Sequence, residues 1–135
     1  MELDHVGVNV ISLDEALVVL TGALGFELMS RETINDVAVA FVRLGSLELE
    51  VVEKRDARPG LSHLGLRVDD VRRAVADIDE RVRPAGTIVS GTRGSVVQLL
   101  DAATTAGIPM HFCSRELNAI GSSDASSPAR TGEAP

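Results

Sequence analysis

The sequence predicts an α+β protein made of two β-α-β-β-β modules. Three observations lead there: a gapless internal repeat, a change from two-residue to helical periodicity inside each copy, and turn signals that divide the rest of each copy into three strands. Residues 4–20 lie over residues 62–78, so that DHVGVNV matches SHLGLRV. The alignment pairs His5 with His63, Gly7 with Gly65, Val10 with Val68, Ala16 with Ala74 and Leu20 with Ile78. Most intervening pairs match apolar with apolar.

Each copy opens on an alternating strand and runs into an i, i+3, i+4, i+7 apolar pattern. The first helix carries Leu13, Ala16, Leu17 and Leu20; the second carries Val71, Ala74, Val75, Ile78 and Val82. Ser12 with Glu15 three residues on has the spacing of a capping box, and Asp69 or Asp70 can cap the second helix. Gly22 and Gly25 end the first helix, after which residues 26–33, 37–44 and 47–53 read as strands. Behind the second helix Pro84-Ala85-Gly86 breaks the chain, and residues 87–89, 95–100 and 108–114 read as strands, the first of them short. Module one is expected to span residues 1–53, a charged Pro/Gly linker 54–60, and module two 61–114. The Ser/Ala/Gly/Pro-rich stretch 115–135 has too little apolar surface to offset ordering entropy and is expected to be disordered.

Composition narrows the function. A net charge of -7 argues against a nucleic-acid partner, which needs clustered Lys and Arg to neutralise phosphates. No apolar run is long enough to span a bilayer, and MELDH lacks the features of a signal peptide, so no membrane role and a cytoplasmic location are expected. Aromatic residues make up 2% of the chain, with no Trp and no Tyr, which disfavours a binding module built on ring stacking. Cys113 is the single cysteine and is expected to be a reduced, buried hydrophobe.

Strand parity sorts the side chains into two faces. Val6, Val8 and Val10 must lie under the first helix, which sends His5, Gly7 and Asn9 to the other face; Leu64, Leu66 and Val68 oppose His63, Gly65 and Arg67 in the same way. The last strands of the modules repeat this logic, with Leu49-Glu50-Val51 lying over Met110-His111-Phe112. Each module therefore offers a first-strand histidine and a last-strand side chain able to bind metal. His5, Glu50, His63 and His111 form a nitrogen-rich donor set suited to a divalent ion such as Zn, Fe, Ni, Co or Mn. Glu48 shares the parity of Glu50 about 7 Å along the strand, too far to bind the same ion but suited to act as a general base.

The order and spacing of LDHVGVNVISLDEAL, GALGFELMSRE, LELEVVE, LSHLGLRVDDV and GIPMHF resemble the vicinal oxygen chelate superfamily, the glyoxalase and methylmalonyl-CoA epimerase group. The resemblance covers about residues 3–114. It implies paired modules forming a half-barrel around a metal, with the ligand positions falling on His5, Glu50, His63 and His111, and it implies a homodimer. Two departures stand out. The family's last ligand is usually glutamate, where this chain has His111; and where methylmalonyl-CoA epimerases carry a second catalytic glutamate, in the third strand, this chain has Val39.

The function expected is a metal-dependent isomerase or epimerase of a small oxygenated substrate, working through a stabilised enolate with Glu48 as base. An Fe(II)-dependent oxygenase or lyase of the same superfamily and a non-catalytic small-molecule binding protein are the alternatives. Arg31, Arg43, Arg67 and Arg93 are available to meet an anionic substrate group.

Overall fold

Ser12 starts the first helix as the sequence predicts: its hydroxyl accepts the Glu15 amide at 3.2 Å, and Leu13, the first helical residue, is buried to 1% exposure. Asp70 does the same for the second helix by accepting the Arg73 amide at 3.2 Å, ahead of the fully buried Val71. Leu13 and Val71 are repeat mates. In both modules a capped first turn thus drives one apolar anchor into the core.

In the computed structural model, which describes residues 1–115, the element order is β1 (Glu2–Val10), α1 (Leu13–Leu17), β2 (Glu27–Ile34), β3 (Val37–Leu44) and β4 (Leu47–Glu53), then β5 (Gly60–Arg67), α2 (Val71–Asp77), β6 (Pro84–Ser90), β7 (Val96–Leu100) and β8 (Met110–Ser114). This is the β-α-β-β-β order twice over. The expected disordered segment lies, apart from its first residue, outside the described residues. No helix among the described residues is long and apolar enough to cross a membrane.

The described residues form two compact units, one of Leu3–Gly65 and one of Met1–Glu2 with residues 66–115. In the first unit the strand order is β2-β3-β4-β1-β5. β2, β3 and β4 are antiparallel neighbours, while β1 runs parallel to β4 with Gly7 opposite Glu50. Asn35 and Asp36, both at positive φ, make the two-residue turn that joins β2 to β3. The helix-side core gathers Leu13, Leu17, Ala40, Val42 and Val51, with Val8 and Val10 packed against them. That leaves His5, Gly7, Glu48, Glu50 and Phe41 on the opposite face, as parity requires.

In the second unit β6, β7 and β8 are antiparallel, and α2 buries Val71 against Leu100 and Phe112. The Val68 amide donates to the Cys113 carbonyl at 3.0 Å, the Cys113 thiol lies 3.6 Å from the Leu66 carbonyl, and Cys113 is buried as expected.

Three local expectations need correction. Beyond Leu17 the first helix widens into a π-helical turn, Val18–Ala23, closed by a Leu24 amide bond to the Val19 carbonyl at 3.0 Å. The second helix stops at Asp77, short of the apolar pattern that ends at Val82. Ile78 is already extended, and Asp79 captures the Arg81 backbone amide and guanidinium in a turn. Ile78 and Val82 still pack into the core, which is why the periodicity outlasts the helix. Lastly, Pro84-Ala85-Gly86 does not break the chain but opens β6, which runs Pro84–Ser90: Gly86, at φ +70, lies within a register shift, and the buried Gln98 amide donates to the Ala85 and Gly86 carbonyls at 3.1 and 3.2 Å.

Candidate metal centre

Three of the four expected ligands meet inside the first unit. His5 comes from β1, Glu50 from β4 and His63 from β5. His5 Nε2 stands 3.3 Å from His63 Nε2 and 3.8 Å from Glu50 Oε1, and His63 Nε2 is 3.1 Å from the same oxygen. Donor atoms bound side by side on a four- or six-coordinate ion, with bonds of about 2.1 Å, lie about 3.0–3.4 Å apart. The 3.3 and 3.1 Å separations fall within that range and the 3.8 Å one between His5 and Glu50 is wider, so a bound ion would draw those two donors together. Two imidazoles and one carboxylate suit a borderline divalent metal. The residues fit the group that the sequence implies.

Burial reinforces the fit. His5 is 5% exposed and Glu50 8%. A buried carboxylate and a buried imidazole, with the partly exposed His63 ring against them, lack much of the solvation each would have alone, an arrangement that a cation at their centre relieves.

The glycines of the repeat explain how the rings approach so closely. A β-carbon on Gly7 would fall 2.1 Å from His63 Cε1, and one on Gly65 would fall 2.2 Å from His5 Cε1. Each histidine thus lies across the bare backbone of the strand that carries the other. Phe41 meets the His5 ring edge to face, with centroids 5.6 Å apart.

The outer nitrogens are also held. His5 Nδ1 lies 2.8 Å from the Asp4 carboxylate, and His63 Nδ1 lies 3.0 Å from Ser62 Oγ. Sequence reasoning passed over both partners, although an oxygen-bearing residue directly before each repeated histidine was a visible signal. Glu32 was also passed over. It pairs across the strands with Val39, on the face of β3 that carries Phe41. A register shift between Leu28 and Ser30 reverses the parity of β2, so alternation counted from its start assigns Glu32 to the wrong face.

Glu48, the expected base, is half-buried on β4 opposite Arg43, on the same face as Glu50. His111 is buried on β8 in the second unit. Of the arginines noted for anion binding, Arg31 is bonded to Asp14 at 2.6 Å, Arg43 to Glu27 at 3.0 Å and Arg67 to Glu2.

A sequence profile of the Glyoxalase/Bleomycin resistance protein/Dioxygenase superfamily matches residues 4–97, well over half of the chain. The protein belongs to this superfamily. No curated protein of matching sequence was found. Among solved structures, a hypothetical protein from Bacillus halodurans C-125 is similar at 21% identity and a TM-score of 0.75, over 96% of this chain and 98% of its own. A methylmalonyl-CoA epimerase in complex with methylmalonyl-CoA is 22% identical, with a TM-score of 0.75 over 84% of this chain and 93% of its own. The methylmalonyl-CoA epimerase from Mycobacterium tuberculosis is 22% identical, with a TM-score of 0.71 over 84% and 87%. At these identities the likeness establishes the glyoxalase fold.

Proposed function

We propose that the protein is a metal-dependent isomerase or epimerase acting on a small carbonyl or hydroxy-carbonyl substrate. The observation that carries this reading is the convergence of His5 Nε2, His63 Nε2 and Glu50 Oε1 at separations of 3.3, 3.8 and 3.1 Å. These residues would hold a divalent ion, Zn, Fe, Ni, Co or Mn, which when bound supplies Lewis acidity to a substrate carbonyl and so acidifies the neighbouring C–H bond. On the sequence repeat alone, His111 is proposed as a further ligand. The epimerases among the structural neighbours support the choice of reaction class.

The chain's own residues handle the proton. Glu48, two residues from Glu50 on the same strand face, takes the proton from carbon and returns it to the same or the adjacent atom. About 7 Å of strand separates the two carboxylates, room for a small substrate between ligand and base. Glu32 competes for this role, since its pairing with Val39 puts a carboxylate one strand away from the position where the epimerases carry their second glutamate. Val39 and Phe41, 4% and 1% exposed, make that part of the sheet apolar, which strengthens the electrostatics around a reacting carbonyl.

The test is deuterium uptake from heavy water into methylmalonyl-CoA and into simple α-hydroxy-carbonyl compounds by metal-loaded protein, without oxygen. Uptake supports the proposal; its absence from all of them refutes it. A second reading has its own support, because two histidines and one carboxylate are also the ligand set of Fe(II) oxygenases. Oxygen consumption by the iron-loaded protein, with no exchange under anaerobic conditions, would favour that reading. A cytoplasmic homodimer is part of the proposal and is checked, as to assembly, by sedimentation.

A further inference from the structure

The repeat gives its two histidines equivalent positions, yet their outer nitrogens face different chemistry. His5 Nδ1 meets a carboxylate whose side chain is 2% exposed, while His63 Nδ1 meets the Ser62 hydroxyl. An ionised carboxylate only accepts hydrogen bonds, so it requires Nδ1–H on His5 and leaves the lone pair on Nε2, the atom that faces His63 and Glu50. A hydroxyl donates or accepts, and so permits either tautomer of His63.

Charge differs as well. Two neutral imidazoles and Glu50 leave a divalent ion with one uncompensated positive charge, and Asp4 stands one hydrogen bond behind the cluster at 2.8 Å from His5.

We propose that Asp4 is a positioning residue that fixes His5 as the Nδ1–H tautomer and supplies, through that ring, the second negative charge of the metal centre. His5 is then the permanently prepared ligand, and His63 is the one that adjusts its tautomer when an ion arrives. The charge role rests on the metal reading above; the orienting role does not.

Long-range ¹H–¹⁵N NMR of the metal-free protein reads the tautomers, and cobalt titration reads the affinity. Wild type should show His5 protonated at Nδ1. Asp4→Asn keeps an acceptor and removes the charge, so the tautomer should persist while cobalt affinity falls about 10–100-fold, the usual range for outer partners of metal ligands. Asp4→Leu should lose both the tautomer and the affinity, and Ser62→Ala should leave the His5 tautomer intact and weaken binding less than Asp4→Asn. Circular dichroism identifies a variant that fails to fold, in which case wild type and Asp4→Asn decide. His5 protonated at Nε2 in wild type overturns the orienting role. Unchanged affinity in Asp4→Asn overturns the charge role. If wild type takes up no cobalt, the metal reading and the charge role fall together, and the NMR spectrum still decides the orienting role.

Discussion

The imidazole of His63 lies directly over the backbone of Gly7, so near that a β-carbon on residue 7 would come within 2.1 Å of the ring. His5 stands in the reciprocal relation to Gly65, at 2.2 Å. The obstructing atoms belong to rings that can rotate away, so Gly7→Ala and Gly65→Ala should fold. Their stability loss should not exceed the roughly 1–3 kcal/mol typical of overpacking, while metal binding falls at least about tenfold as the displaced ring leaves the cluster. Urea denaturation and cobalt titration together separate the two effects. Wild-type affinity in both variants would show that the glycines do not set the ring positions.

Proton transfer should be separable from metal binding. Glu48→Gln should keep stoichiometric metal and lower deuterium exchange by about 10²–10⁴-fold, the usual contribution of a positioned base. If exchange survives in Glu48→Gln and is lost in Glu32→Gln, the base is Glu32.

Both modules should depend on the same anchor. Leu13→Ala should cost about 2–5 kcal/mol, since it removes a large side chain that is 1% exposed in the core of its unit. Ser12→Ala and Asp70→Ala should each cost about 1 kcal/mol through loss of a helix cap. Chemical denaturation at fixed metal content measures all three.

What the sequence made legible was whatever has a short period or an exact repeat. Alternation assigned the faces of β1 and β4, and β3 and β4 begin and end where turn residues mark them. The repeat selects His5, Glu50, His63 and His111, and the first three of these lie together in one unit. Features that break periodicity stayed hidden. The shift between Leu28 and Ser30 concealed the face of Glu32, the Gly86 irregularity made β6 read as a shorter strand, and the Asp79–Arg81 turn cut α2 short within an unbroken apolar pattern. Asp4 and Ser62 were missed for another reason. Side chains adjacent on a strand normally point to opposite faces, so parity gives no hint that each would reach the ring beside it.

The most direct test of the central claim is metal content by mass spectrometry, with cobalt titration, on wild-type protein and on His5→Ala, Glu50→Ala and His63→Ala. We expect stoichiometric metal in the wild type and loss of tight binding in each of the three folded variants. Stoichiometric, tightly held metal in all three, or a wild-type protein that binds none, would contradict the assignment of this cluster as a metal centre.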